Sequence, residues 1–449
     1  PIPLSAEEKQ SLPRFVNDSL TLAHRDSSSI NINLGGRQEN TNKGPAGPII
    51  KSLLSGKRWS LSKKTSLSFN GLADLKSSSF NTVDGFVIGT GMTFSAKTGE
   101  KGRLTLDPSV KYAFSRERLM WNLSANMLYD PMTSGSFFLR AGHYSRDFSS
   151  NGVSPFLNTI SSLFFRENWM KLYNSTFITA GHRGDLANGL NMSLSAMWER
   201  REALENTTSF SFFHPDNEYT VNLPDNLLVK GEVEGFNALT SVNHSNVSLT
   251  AELSYTPRQR YRIRNGARIS AGSDWPTFRI LYEHSYNYND TLRGHFDLLR
   301  AEVSRSSKFS AFSEFRWRLS VGSFINRENL QLQDLHYFNA QASPILLNSY
   351  QDAFHLKEYY SLVAPEGFAE AHIMYTTPYL LLKSLPVLSR TLMRENLSAD
   401  MLWTPHYGFY MEAGYSISEI FFMAEAGIYA GFRDLKYESL GFRFILSFR

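Results

Sequence analysis

The last thirteen residues, 437–449, read YESLGFRFILSFR and decide the fold class. Apolar side chains recur there at every second position, namely Leu440, Phe442, Phe444, Leu446 and Phe448. Successive side chains of a β-strand point to opposite faces, so a period of two indicates a strand with one apolar and one polar face. The C-terminus therefore predicts such a strand.

The same alternation recurs along the chain, at 119–129, 247–255, 315–321, 397–403 and 407–417. These stretches belong to strands of about 10–14 residues, longer than the usual 5–6 residues of globular sheets. A strand needs about 9–11 residues to cross the hydrocarbon of a membrane. The pattern predicts an all-β protein, a transmembrane antiparallel β-barrel of about 16 strands with a short N-terminal helical segment.

A soluble all-β protein is the alternative fold. A propeller would show a repeat of roughly 40–50 residues, and no such repeat is visible. A sandwich would show shorter strands, with turns about every 8–12 residues. The long strands favour the membrane barrel.

Composition excludes several classes of protein. Of the 449 residues, 14% are aromatic and 20% charged, which is incompatible with general disorder. The net charge of +4 comes from scattered residues, so no basic patch indicates nucleic acid. Cysteine is absent, which excludes zinc–thiolate sites, iron–sulfur ligation and thiol nucleophiles.

Two regions are predicted, an N-terminal periplasmic or lumenal segment at 1–58 and the barrel at 59–449. The chain begins with proline rather than methionine, so we expect a longer precursor. The long polar stretches 203–240 and 326–364 are expected to be extracellular loops, because outer-membrane barrels have short periplasmic turns.

The closure of the barrel is a further expectation. Every backbone polar group in hydrocarbon must be satisfied, so the last strand, 437–449, should pair with the first, near 60–71. The weakest strand prediction is 261–272, where glycines and arginines interrupt the alternation.

Charged residues on two predicted strands are the candidate site. Arginine or lysine facing lipid costs about 2–4 kcal/mol at mid-depth, so charged faces are expected to line the lumen. By the same alternation, Phe315, Trp317 and Leu319 should face lipid. We expect an ion-pair network that stiffens the wall, with a transport pathway as the alternative. The lumen candidates are Glu314, Arg316, Arg318, Glu370 and His372.

No motif for catalysis or cofactor binding emerges. His143, His182, His284 and His372 lie on predicted strands, but no Gly-x-Ser-x-Gly elbow accompanies them. The metalloprotease motif His-Glu-x-x-His and the EF-hand loop are also absent from the sequence. We therefore predict no catalytic, cofactor or metal site, with a Ser/His site acting on lipid as the alternative.

Several spaced segments resemble one family. Residues 1–9 (PIPLSAEEK) are similar to a "PIPL-T/S-x-E-E" segment, and 80–86 (FNTVDGF) to "FNxVEGF". Residues 158–173 are similar to an "NTxxxLxxxxNYxKLY" segment, and 382–388 resemble "LNKIPLLRKL". In 201–207 an alanine replaces the expected proline. The pattern resembles DUF5686, a Bacteroidota family of unknown function.

The resemblance implies an outer-membrane barrel, usually preceded by a carboxypeptidase-regulatory-like domain, so this chain is expected to be the barrel part. It also implies a distant similarity to the Omp85 assembly and secretion barrels. Residues 292–296 (LRGHF) superficially resemble the "VRGF" motif of that superfamily. The family carries no residue-level role that could be transferred.

We expect a non-enzymatic barrel in the outer membrane of a Gram-negative bacterium. It would be a structural or assembly- or transport-assisting subunit of a larger complex. A substrate-selective pore and a lipid-modifying enzyme are the alternatives. Expected partners are outer-membrane lipid, lipopolysaccharide and other outer-membrane proteins, with no cofactor and no nucleic acid.

Overall fold

Long β-strands dominate the computed structural model. It describes residues 54–72, 77–99, 101–214, 216–233, 239–286, 294–310, 312–327, 330–341, 343, 345–347, 352–384 and 391–446. Of the helical segment predicted within residues 1–58, only the end is described, where residues 54 and 55 are helical. No helix in the described part of the chain is long and apolar enough to cross a membrane.

The strands follow one another with short connections in most places. In chain order they are β1 (Lys57–Ser60), β2 (Thr65–Phe69), β3 (Ser79–Asn81), β4 (Gly85–Thr98), β5 (Gly102–Ala113), β6 (Arg118–Asp130), β7 (Gly135–Asp147), β8 (Leu172–Ala187), β9 (Leu190–Ala203), β10 (His244–Tyr255), β11 (Tyr261–Arg264), β12 (Ala267–Ser270), β13 (Thr277–Tyr286), β14 (Phe296–Lys308), β15 (Glu314–Asn326), β16 (His336–Tyr337), β17 (Ile345–Leu347), β18 (Val363–Ala364), β19 (Gly367–Thr377), β20 (Arg394–Thr404), β21 (Gly408–Ile420), β22 (Ala424–Arg433) and β23 (Lys436–Leu446).

Helices are few and short in the part of the chain that the structure describes. They are α1 (Pro155–Ile160), which continues into a π-helical turn (Ser161–Phe165), α2 (Leu227–Lys230) and two 3₁₀ turns, Leu332–Asp334 and Leu382–Ser384.

One sheet contains nineteen of these strands, paired almost throughout with the next strand in the chain. Because β2 and β3 both pair with β4, they share one position, which leaves eighteen positions. Seventeen of them are antiparallel, and β17 alone pairs in parallel, with β23. The prediction of an all-β chain with a large antiparallel sheet is confirmed. The predicted count of about 16 compares with seventeen antiparallel positions in the described residues, or eighteen with β17.

The large sheet turns its apolar side chains outward. In β10, Leu249 is 52% exposed, whereas its neighbour Ser248 is only 2% exposed. In β15, Val321 is 54% exposed and Ser320 only 3%. A soluble sheet buries its apolar face instead. The predicted alternation is therefore present with the polarity of a membrane barrel, and the soluble propeller or sandwich does not fit.

The sheet curls around residues 330–341 and 352–364, which we call the strap and which lie in the loop between β15 and β19. Tyr360 of the strap bonds to Asp147 in β7, and Lys357 pairs with Glu438 in β23. Eleven strand-to-strand steps separate β7 from β23, roughly 50 Å along a flat sheet at about 4.8 Å per step. Lys357 and Tyr360 are three residues apart, so their backbones are separated by at most about 11 Å. Even with the length of the side chains added, β7 and β23 must lie closer together than in a flat sheet, so the sheet is strongly curved.

The two edges of the sheet do not pair with each other in the described residues. The prediction that the last strand pairs with the first is therefore not met there. The free edge of β23 instead pairs with β17. The edge of β3 is covered by α1, where Thr159 Oγ1 accepts from Phe80 N–H at 2.8 Å. Asn158 Nδ2 donates to the Phe80 carbonyl at 3.4 Å, so side chains replace the neighbouring strand.

Residues 261–272 do not form a strand of the large sheet, as the sequence had suggested. They form a separate hairpin, β11–β12, in the connection between β10 and β13. Arg262 and Arg264 are both exposed on it. The interrupted alternation thus indicates a hairpin in a connecting loop rather than a strand of the large sheet.

The two-residue turn between β8 and β9 tests how closely the chain after β10 approaches it. Gly189 has φ +77°, and an added Cβ would lie 2.1 Å from the Thr256 carbonyl oxygen. Gly99, in another turn, has φ +67° with open space around it. We expect Gly99→Ala to cost about 1–2 kcal/mol for the left-handed backbone alone. Gly189→Ala should cost clearly more, as measured by urea unfolding of the detergent-solubilised protein. Equal costs would mean that the Thr256 carbonyl does not approach Gly189 this closely.

Candidate functional site

The strap packs against the concave face of the sheet through two apolar clusters. Leu332, Leu335 and Tyr337 pack with Phe148 and Tyr173 at β7 and β8. Farther along the strap, the second cluster joins Phe338, Phe354 and Leu362 to Leu402 of β20 and Tyr410 of β21. The strap is thus held by strands on opposite sides of the curled sheet.

A buried charge cluster fixes the strap to β9. Arg201 forms an ion pair with Asp334 of the strap, and its Nε lies 2.6 Å from Glu199 Oε2. Glu199 has 0% exposure and also pairs with Arg146 at 3.0 Å. Two guanidinium groups and two carboxylates therefore balance one another. Charges removed from water need such partners, since an unpaired buried ion costs several kcal/mol.

A second clamp joins the strap to β21 and β23. Glu412, fully buried, accepts the backbone N–H groups of His355 at 2.6 Å and Leu356 at 3.0 Å. It also accepts the Tyr410 hydroxyl at 2.7 Å. Arg443 Nε donates to the His355 carbonyl at 2.6 Å. Both backbone polar groups of His355 are thereby satisfied by charged side chains of the wall, as buried backbone groups require.

A third clamp lies at β7. The Tyr360 hydroxyl donates to Asp147, with 2.9 and 3.0 Å to the two carboxylate oxygens. It accepts the Lys171 backbone N–H at 3.0 Å. Burial raises the pKa of Tyr360 well above its ordinary value, so the hydroxyl keeps its proton and remains a donor. This clamp anchors the end of the strap opposite to Asp334.

Strap histidines carry no charge at neutral pH. Burial is the main cause that lowers the pKa of His336 to about 4 and that of His355 to about 3. Each imidazole stacks on an aromatic ring of the wall, His336 on Phe368 at 4.3 Å and His355 on Tyr429 at 4.0 Å. Their neutral form suits this apolar packing.

The predicted lumen candidates fall into two groups in the structure. Arg318 lies 3.7 Å from Glu370 and 3.3 Å from Asp352 of the strap. Glu314 and Arg316 pair with each other at 3.7 Å. Arg318 therefore contacts the strap, as the three clamps do, whereas the pair of Glu314 and Arg316 lies nearer the start of β15.

Glu370 and His372 join a buried triad with Asp400. His372 lies with Nε2 2.8 Å from Glu370 and Nδ1 2.7 Å from Asp400. Both ring nitrogens therefore face carboxylates, and no nitrogen is left to activate a hydroxyl. This arrangement indicates an ion cluster in the wall rather than a nucleophilic site.

The other histidines considered as bases also lack a serine partner among the hydrogen bonds of the described residues. His143 contacts Thr176 at 2.7 Å, and His182 contacts the Tyr129 hydroxyl at 2.8 Å. His284 contacts Asp297 at 2.7 Å. Within the described ranges, no group of three or more His, Asp or Glu side chains is placed to hold a metal ion.

Sequence reasoning missed the residues that hold the strap. Glu199, Arg201, Asp400 and Glu412 each occupy a buried position of a long strand. The polar parity of 396–400 and 412–416 was visible, and charged residues on it could have been added to the candidates. Asp334 offers no such signal, because it lies in a loop without periodicity.

The Glu412 clamp yields a prediction about local opening of the strap. Glu412→Ala removes the acceptor of two backbone N–H groups, each such bond contributing about 0.5–1.5 kcal/mol. Hydrogen exchange at His355 and Leu356 should therefore accelerate by roughly 10-fold or more.

Glu438→Ala is the matched control for this test. It breaks the more exposed ion pair with Lys357, which lies in the same strap. Exposed pairs contribute only about 0–1 kcal/mol, so exchange in this variant should change little. Similar exchange in both variants would contradict the clamp.

Solved structures similar to this chain are membrane barrels, at low similarity. BamA from Haemophilus ducreyi, lacking POTRA domains 1–3, shows 10% identity and a TM-score of 0.43, with 86% of this chain and 74% of that chain covered. CdiB from Acinetobacter baumannii shows 9% identity and a TM-score of 0.35, with 82% and 57% covered. A Rh. blastica porin mutant shows 6% identity and a TM-score of 0.30, with 80% and 89% covered.

No curated protein matches the sequence. The model of the C-terminal domain of DUF5686, a family of unknown function, matches residues 50–417. The match spans most of the chain, including the strap and most of the large sheet. The chain belongs to the DUF5686 family.

Proposed function

We propose that this chain is a non-enzymatic outer-membrane β-barrel whose lumen is closed by the strap. In this proposal it is a structural or assembly- or transport-assisting subunit of an outer-membrane complex. The observation that carries the proposal is the strap itself, which is clamped to opposite sides of the curled sheet by buried charges.

The outward apolar face supports a location in a membrane. Exposed leucine, valine, isoleucine and phenylalanine side chains recur along the long strands, whereas the polar parity is buried. In water such a surface would be an aggregation hazard, since soluble monomers rarely expose large contiguous apolar patches. Lipid removes that cost, and the polar parity then lines the interior.

The strap favours a closed barrel over the alternative of a substrate-selective pore. It reaches β7, β9, β15, β21 and β23 from the concave side, so it crosses the space that a solute would need. An open pore of this size instead leaves an aqueous channel through the barrel.

Planar bilayers distinguish a closed barrel from a pore. The purified wild-type protein should show little steady conductance, because the strap occupies the interior. Asp334→Ala combined with Glu412→Ala should produce opening events, since both clamps are lost, whereas Glu438→Ala should behave as wild type. A large, stable wild-type conductance would show that the chain is a pore.

A single substitution tests the membrane-facing side. Val321→Arg places a charge on the exposed parity of β15, at an expected cost of about 2–4 kcal/mol near mid-depth. The measurement is the yield of folded protein in lipid vesicles, assayed by heat-modifiable migration in gels. Val321→Ile is the control and should fold normally. A full yield of folded Val321→Arg protein would show that this face of β15 contacts water rather than lipid.

The absence of enzymatic activity is part of the proposal. It is supported by His372, whose two ring nitrogens face carboxylates. The remaining His–Asp pair, His284 with Asp297, has the Tyr282 hydroxyl on the same carboxylate and no serine in hydrogen-bond contact within the described residues. A serine-directed fluorophosphonate probe should leave the protein unlabelled, and phospholipid should stay intact. Labelling would favour the lipid-modifying enzyme.

Membership of a complex has a separate test. Mild detergent extracts of native membranes, run on native gels, should carry the chain in a particle much larger than its own 51.0 kDa. Migration as a monomer after gentle extraction and cross-linking would remove the complex from the proposal.

A further inference from the structure

A group of exposed phenylalanines lies beside the wall, and all of its members except Phe86 of β4 lie outside the long strands. We call it the phenylalanine ledge. Its side chains are between 43% and 58% exposed. The members are Phe86, Phe164, Phe165, Phe210, Phe212 and Phe213.

The ledge is a continuous surface rather than a set of scattered side chains. Phe210 lies 5.8 Å from Phe86 and 5.4 Å from Phe212, measured between ring centroids. Phe164 lies 5.7 Å from Phe212 and 5.8 Å from Phe213. Three segments distant in sequence thus contribute to one aromatic patch.

Hydrogen bonds hold these segments in place. Phe212 N–H donates to the Leu163 carbonyl at 2.8 Å, which joins the loop after β9 to the π-helical turn. The Tyr219 hydroxyl lies 2.7 Å from the Ser162 carbonyl and 2.8 Å from that of Phe210. Thr207 N–H donates to the Thr82 carbonyl at 2.9 Å, next to β4. Because these hydrogen bonds fix the loop, the exposure of its phenylalanine side chains is a property of the folded structure.

The ledge is continuous with the apolar outer face of the sheet. Phe86 opens β4 on the same parity as Ile88 and Met92, which are 52% and 44% exposed. The next residue, Val87, is 4% exposed and faces the other side. Because Phe86 contacts Phe210, the ledge extends the outward apolar surface of β4 beyond the end of the strand.

The size and chemistry of the ledge favour lipid. Six half-exposed phenylalanines present roughly 600 Å² of apolar surface, at the upper limit of what a soluble monomer exposes. Phenylalanine has no polar atom for headgroups, so its place is on the acyl side of the boundary. Polar side chains follow at once, with Asp216, Asn217 and Glu218 all exposed. An apolar surface with a polar rim is the pattern of a segment embedded in the membrane boundary.

We propose that the ledge inserts into the surrounding leaflet and contacts lipid acyl chains just below the headgroups. The helical segment 155–165 and the loop 204–213 are then membrane-embedded parts of the wall, at the edge of β3 that no strand of the described residues covers. The proposal rests on the membrane location proposed above.

Site-directed spin labelling can test this directly, because the chain contains no cysteine. Nitroxide labels at Phe165→Cys and Phe212→Cys would be compared with Ile88→Cys, on the strand, and Asp216→Cys, on the polar rim. The purified protein is reconstituted in phosphatidylcholine vesicles. Collision with oxygen, which concentrates in lipid, is measured against collision with a water-soluble nickel chelate.

The ledge labels should give an oxygen-to-nickel ratio close to that of Ile88 and several-fold above that of Asp216. Ledge labels as accessible to nickel as Asp216 would overturn the proposal, with the ledge then free for a protein partner. Labels shielded from both reagents would also overturn it, since the ledge would be covered by protein, including a second copy. If the Ile88 label is itself exposed to nickel, the membrane location fails instead.

Discussion

The charges on the inner face of the curled sheet must be paired, and the rest of the structure depends on that constraint. With apolar side chains turned outward, polar and ionisable groups collect on the concave side, away from bulk water. Arg201 is buried there, and its neighbour Glu199 also pairs with Arg146. Asp334 of the strap supplies the fourth charge. Wall and strap are thus one electrostatic unit, and removing the strap would leave a buried guanidinium without half of its partners.

The backbone of the strap obeys the same rule. A loop inside a curled sheet carries peptide groups that cannot reach water freely, so each one needs an acceptor or donor. Glu412 and Arg443 meet this need at His355 from two different strands. Glu395 plays the same part near the opposite end of the wall, where it accepts the N–H groups of Leu380, Leu381 and Leu382. Side chains of ionisable residues on the strands therefore satisfy the backbone hydrogen-bonding groups of the loops.

The edges of the sheet show a different solution to the same problem. An unpaired strand edge exposes a row of donors and acceptors, which is a site of aggregation in water and a large cost in lipid. Along β3 the side chains of α1 take the place of a strand, and along β23 the short β17 does so. Both substitutes come from loops that begin at a strand end and fold back. Both edges are thereby covered by elements that carry no strand pattern of their own.

This difference explains how far the sequence could be interpreted. Period-two alternation is a local property, so the strands, their polarity and the face of residues such as Leu249 or Val321 could be predicted. The polar parity also marked Arg318 and Glu370. The partner of Arg201 could not be predicted, since Asp334 lies 133 positions away in a loop without a repeat. The edge contact of Thr159 with β3 and the hairpin β11–β12 depend on tertiary position in the same way.

The number of clamps bears on whether a strap of this kind opens by itself. The bond from Arg443 to His355 and the pair between Arg201 and Asp334 each involve a guanidinium, at about 1.5–3 kcal/mol each. The two N–H bonds to Glu412 add about 0.5–1.5 kcal/mol each, so releasing all four together costs of the order of 5 kcal/mol. Because about 1.4 kcal/mol corresponds to a factor of ten in an equilibrium constant, this cost leaves roughly one molecule in a few thousand with an open strap. Passage through the barrel would thus require a partner whose binding energy favours the open state. This requirement is consistent with a subunit of a complex and inconsistent with a self-sufficient pore.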